Sequence, residues 1–227
     1  MLQQTQADRV VPKYKSFLKK FPTVKVLAGA SLGSVIKEWQ GLGYNRRAKM
    51  LHALSKAIVS SYKSKFPQHH EELVALPGVG KYTASAVRVF AFNKPEVLIE
   101  TNVRTVFLHH FFTNKNKVTD LELVPYIGQS LYVKNPRLWY SALMDYGSHL
   151  KKTLPNPSRK SAHHKTQPAF KGSNREVRGA LLRTISRGHI KKRALVLPFP
   201  KEKILQQVDA LKKEGLLIEK RGSLFLP

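Results

Sequence analysis

The sequence predicts a mainly α-helical chain that closes in a small α+β unit. Three observations carry this. Apolar residues recur at helical spacing through the first 150 positions, strand-type alternation is absent there, and a helical pattern near the C-terminus runs directly into two short apolar segments around Lys220-Arg221-Gly222. With 227 residues, 42% of them hydrophobic, the chain is long enough to bury a substantial core.

The elements follow in order. Val10, Tyr14, Phe17 and Phe21 fall on one helical face, and Leu32, Val35, Ile36 and Trp39 mark a shorter helix that stops at Gly41-Leu42-Gly43. Leu51, Leu54, Ile58 and Tyr62 form another stripe. Further helices are predicted over 71–76, 81–92, 102–112, 120–132 and 136–150. The stretch 151–173 is rich in Pro, Ser, Lys and His without apolar period, and reads as a linker or as an extended arm laid along phosphates. In the last part, Val177, Leu181, Leu182 and Ile185 suit one helix and Ile204, Val208 and Leu211 a second, followed by a β-hairpin. That order resembles a winged-helix module, a fold that suits either DNA or a docked protein. The predicted division is therefore a helical domain at 1–150, a basic linker at 151–173 and a winged-helix-like unit at 174–227.

Forty Lys and Arg against fourteen Asp and Glu give a net charge of +26. Self-repulsion on that scale opposes compaction unless a polyanion relieves it, and nucleic acid is the expected one. A merely soluble, basic protein is the alternative on charge alone. No apolar run approaches the roughly 20 residues that span a bilayer, and Met1-Leu2-Gln3-Gln4-Thr5-Gln6 lacks the features of a signal peptide. No membrane partner and an intracellular, cytoplasmic setting are expected. There are no cysteines, which excludes disulfides, a cysteine nucleophile, thiolate zinc and a cysteine-held iron–sulfur cluster. No cofactor is expected. No Asp/Glu/His cluster has metal-ligand spacing.

The sharpest motif is Leu76-Pro77-Gly78-Val79-Gly80-Lys81-Tyr82-Thr83-Ala84, set between helical patterns. Two glycines one residue apart permit a tight reversal with positive φ. The helix that follows presents free N–H groups and the positive end of its dipole to an anion. Leu76, Gly78, Val79, Gly80, Lys81 and Thr83 are the expected phosphate-gripping residues.

This hairpin resembles the helix–hairpin–helix of the base-excision DNA glycosylase superfamily that includes endonuclease III and the A/G-specific adenine glycosylases. Further segments are similar to adenine glycosylases in order: Met1 to Gln6, Phe21-Pro22-Thr23-Val24, Trp39 to Tyr44, Arg46-Arg47-Ala48, Phe66-Pro67, Leu98 to Arg104 and Met144-Asp145-Tyr146-Gly147. The resemblance implies a monomeric glycosylase that flips a base out of double-stranded DNA and removes adenine mispaired with 8-oxoguanine or guanine. It makes Glu100, where relatives usually carry Asp, the carboxylate that stabilises the developing sugar cation, with Asn102 positioning it or a phosphate. It puts Tyr82 in the slot that holds a Schiff-base lysine in bifunctional relatives, implying little lyase activity. Gln3 and Gln4 would meet the flipped-out site, and Tyr44, Arg46 and Arg47 the minor groove. A monovalent cation on the hairpin carbonyls is implied as well.

Three departures accompany the resemblance. The family's proton-donating Glu would lie two residues ahead of Met1, so a start upstream is expected. The cluster cysteines are replaced by the basic stretch after Leu150, and the short tail does not resemble the family's larger 8-oxoguanine-reading domain. A non-catalytic DNA-binding relative, and an endonuclease III-like glycosylase/lyase acting on damaged pyrimidines, are the alternatives.

Overall fold

The computed structural model describes residues 1–227, and its architecture is mainly helical with one three-stranded antiparallel sheet. The chain divides into two compact units, Met1–Phe66 with Pro168–Pro227, and Pro67–Gln167. This differs from the division at 150 and 174 expected from composition, and each unit shows why.

The first unit begins with α1 (Ala7–Lys20), α2 (Val24–Gly29), α3 (Leu32–Trp39) and α4 (Arg46–Ser61). Val10, Phe17 and Phe21 bury one face of α1 against Trp39, whose ring meets Phe17 edge-on at 6.2 Å. Tyr14, which shares the spacing, stays half exposed. Helix α2 escapes the sequence reading because it is only six residues long, held by the Thr23 side chain accepting from the Val26 N–H at 3.2 Å. The C-terminal segment supplies α10 (Asn174–Ser186), β1 (Ile190–Lys191), α11 (Lys201–Lys213), β2 (Ile218–Lys220) and β3 (Ser223–Phe225), the strands ordered β1-β3-β2. The expected hairpin is present, its turn at Arg221-Gly222 with both residues at positive φ. This segment is not a separate domain. Ile36 of α3 belongs to the same core as Val177, Leu181, Val208, Leu211 and Leu224, and the Gln40 side chain donates to the Leu182 carbonyl at 3.0 Å.

The second unit holds α5 (His70–Val74), α6 (Lys81–Phe90), α7 (Thr101–Phe111), α8 (Asp120–Ser130) and α9 (Pro136–Thr153). Helix α7 is its axis: Val103, Thr105, Val106, Phe107 and Leu108 are all buried. A helix apolar around most of its circumference must be covered on several sides, here by α8, α9 and the start of the basic stretch. The linker reading of 151–173 is thereby corrected over its first part. Pro157–Lys160 form a 3₁₀ turn with Pro157 and Ser158 buried, and Val118 exchanges backbone hydrogen bonds with Lys160 and Ala162 at 2.9 and 2.8 Å. Residues 162–172 are exposed, as a linker or arm would be.

Candidate functional site

In the second unit the hairpin between α5 and α6 is built as a helix–turn–helix reversal. Gly78 takes φ +74°, which only glycine adopts freely, and the Val79 N–H donates to the Leu76 carbonyl at 3.1 Å. Leu76 and Val79 are buried, so they hold the turn and do not present side chains to a ligand. Their part in a phosphate grip is thus to shape the backbone of the turn, not to offer side chains. Gly80 also differs from expectation: its φ is −90°, and a Cβ built there meets nothing within 4 Å. Neither backbone conformation nor internal packing requires glycine at position 80. The absent side chain leaves open the approach to the α6 N-terminus, which has no side-chain cap and no acidic residue in its first turn. Lys81 and Tyr82 are exposed beside it.

Glu100 is the N-cap of α7. Its Oε1 accepts from the Asn102 N–H at 2.5 Å and the Val103 N–H at 3.3 Å, while Oε2 makes no hydrogen bond. Asn102 therefore meets Glu100 through its backbone N–H. The Asn102 Oδ1 is buried and accepts no hydrogen bond within the protein. Tyr82 is 40% exposed, and its phenol is pushed up by burial and further by the nearby Glu100 carboxylate. The structure thus brings together Tyr82, Glu100 and Asn102, three residues from two helices, next to the open N-terminus of α6.

Residues that the sequence reading missed hold this arrangement. Gly147 of α9 lies against the start of α7, where a Cβ would sit 2.2 Å from the Asn102 carbonyl oxygen. The Tyr140 hydroxyl accepts from the Leu98 N–H and donates to the Glu96 carbonyl, both at 2.8 Å, pinning the strand-like approach to Glu100. Burial pushes that phenol up to about 12. Glu96 receives His70 Nδ1 at 2.6 Å, Ser85 Oγ at 2.7 Å and Arg88 Nε, joining the two hairpin helices. Burial alone would raise the Glu96 carboxyl, but bonds from Ser85, Arg88 and His70 outweigh it and hold it below the ordinary value.

The depressed Glu96 value has a stability consequence. Its contribution is complete above the unfolded carboxyl value of about 4.3 and fades as pH falls through the lower folded value. Glu96→Gln is expected to cost about 2 kcal/mol at pH 7, by removing a partly buried partner from Arg88. The difference from wild type should begin to narrow below about pH 4 and close only once the pH falls past the lower folded value. Denaturant melts from pH 3 to 8 check this; a difference independent of pH would show that the charge is not what matters.

In the first unit, the segment before α1 and the loop before α4 are tied by Arg47. Its guanidinium donates to the carbonyls of Met1, Gln3, Leu42 and Gly43 and to Thr5 Oγ1, and lies 5.3 Å from the Trp39 ring and 5.7 Å from that of Tyr44. Burial lowers its pKa, which the Tyr44 charge partly offsets. A guanidinium so engaged is a brace, which corrects its reading as a groove contact. What it braces are two strained residues, Gln4 at φ +57° and Tyr44 at φ +46°. Gln3, Gln4, Tyr44 and Arg46 are exposed on these connected segments.

A family model described as HhH-GPD superfamily base excision DNA repair protein matches residues 1–124, more than half the chain. The chain belongs to this superfamily. Relatives within it include the adenine DNA glycosylase of Buchnera aphidicola subsp. Baizongia pistaciae, 33% identical over 149 residues, which are 65% of this chain and 42% of that protein. The adenine DNA glycosylase of Mycolicibacterium smegmatis is 42% identical over 106 residues (47% and 36%), and that of Homo sapiens 39% over 107 (47% and 20%). The chain spans less than half the length of these curated relatives. Among solved structures, a thermostable thymine-DNA glycosylase superposes with a TM-score of 0.57 at 25% identity, covering 65% of this chain and 69% of that one. A trapped endonuclease III–DNA covalent intermediate shares the HhH-GPD fold, with a TM-score of 0.51 at 21% identity over 74% and 73% of the chains.

Proposed function

We propose that this chain is a monofunctional DNA glycosylase that binds double-stranded DNA and hydrolyses the N-glycosidic bond of adenine mispaired with 8-oxoguanine or guanine. The observation that carries the reading is the Tyr82–Glu100 pair beside the open N-terminus of α6. The helix end and Lys81 suit a backbone phosphate. The carboxylate, with Oε2 unbonded, suits a sugar turning cationic as the bond to the base breaks. In that reaction the base leaves carrying the bond electrons and a proton supplied by an acid, and water adds to the sugar carbon. The adenine DNA glycosylase names of the relatives support adenine as the base, and Tyr82 in place of a lysine supports hydrolysis without a Schiff base.

The test is single-turnover excision on duplexes holding adenine opposite 8-oxoguanine, adenine opposite guanine, or an oxidised pyrimidine, by the chain from Met1 and by a form extended upstream. Alkali-dependent cleavage at adenine without borohydride-trapped adduct supports the reading. Cleavage of the oxidised pyrimidine with a trapped adduct would replace it with the lyase.

Arg47 enters as a positioning residue. Arg47→Lys, which cannot satisfy five acceptors, is expected to cost the fold about 2 kcal/mol and to leave the salt dependence of duplex binding unchanged. A log–log salt slope lowered by about 0.9 would instead put Arg47 on a phosphate.

A further inference from the structure

A basic concavity lies in the C-terminal segment of the first unit. A cleft of about 560 Å³ is lined by Lys191, Lys192, Arg193, Lys201, Arg221 and Glu219. Its one carboxylate is already engaged: Glu219 accepts from Lys212 at 2.6 Å and lies 3.9 Å from Lys192. Lys191, Arg193, Lys201 and Arg221 are exposed and have no acidic partner. Arg221 sits at φ +48°, followed by Gly222 at φ +71°, in a two-residue turn where Asn-Gly is the relaxed choice. A left-handed arginine costs roughly 1 kcal/mol, and the tip is fastened by the Lys192 N–H donating to the Gly222 carbonyl at 2.8 Å. Strain held in place at an exposed cation suggests a task for that cation.

We infer that this cleft is a second DNA-backbone site, taking phosphates of the duplex through Lys191, Arg193, Lys201 and Arg221. The lining favours DNA over an acidic protein. Protein interfaces centre on aromatic and apolar anchors and are depleted in lysine, whereas here Leu205 is the sole large apolar group among unpaired cations. The inference rests on the DNA-binding reading above. It gives the winged-helix-like segment a role in grip, independent of base chemistry.

The experiment is fluorescence anisotropy of the full chain with a labelled undamaged duplex between 50 and 200 mM salt. The cleft variant combines Lys191→Gln, Arg193→Gln, Lys201→Gln and Arg221→Asn. The control combines Lys25→Gln, Lys94→Gln, Lys117→Gln and Lys134→Gln, removing equal charge from exposed positions elsewhere. The cleft variant's log–log salt slope should fall by about 3–4, near 0.9 per lost phosphate contact, and the control's by less than half as much. Equal slopes, or an unchanged cleft variant that loses an acidic protein partner instead, overturn the inference and leave the DNA reading standing. No duplex binding by the wild type overturns both. Arg221→Asn alone guards against misfolding: it should weaken binding while leaving the melting temperature unchanged or higher, because the strain is relieved.

Discussion

Gly147→Ala is expected to destabilise the protein by about 3 kcal/mol and to slow base excision about a hundredfold. Propensity alone points the other way, since alanine is better than glycine in a helix interior by about 1 kcal/mol. Sterics decide the sign. The new Cβ would lie 2.2 Å from the Asn102 carbonyl oxygen, 2.7 Å from its carbonyl carbon and 2.9 Å from its Cα. These are backbone atoms at the first turn of α7, so no side chain can swing aside. Either α9 backs away from a buried core or the start of α7 moves, taking with it Glu100, whose carboxylate caps that turn. Denaturant unfolding and single-turnover excision measure the two effects. A loss under 1 kcal/mol would mean that α7 and α9 separate easily and that the site is not braced from behind.

The second large effect is expected at Glu100. Glu100→Gln keeps an oxygen able to accept from the Asn102 and Val103 N–H groups, so stability should change by less than about 1 kcal/mol. The negative charge is lost, and the excision rate should fall by about 10²–10³, the scale for removing one preorganised electrostatic contact. Glu100→Asp separates the two roles. Aspartate retains the charge and is a better N-cap, so it should hold or raise stability and keep the rate within about tenfold. If Glu100→Gln lowers stability but not the rate, Glu100 is a helix cap and the catalytic carboxylate lies elsewhere.

The parts of this protein legible in its sequence share a physical property: their causes lie within a few residues. Helical periodicity located α1 and α3 to α11 because one apolar stripe per helix is a local pattern. The Arg221-Gly222 turn was legible from its own residues. The hairpin was legible from its two glycines and flanking helices, although only Gly78 uses the left-handed region, and Gly80 remains glycine without any need inside the fold.

Sequence by itself thus determined the mainly α class, the order of the elements apart from α2 and the basic character, and through the resemblance it offered Tyr82, Glu100 and Asn102 as candidates. Tertiary structure alone decided what holds and orients that set. Glu96 gathers His70 from 26 residues away, Tyr140 reaches back 44 residues to the Glu96 carbonyl, and Arg47 reaches 46 residues to Met1. It also decided that the C-terminal helices share a core with α3, and that the basic stretch is half built into the α7 packing. Nothing local marks these residues, because a charged or aromatic side chain acquires its role only from the partners that distant chain segments bring to it. An arginine that braces five acceptors and an arginine that awaits a phosphate read the same in sequence; desolvation and geometry tell them apart.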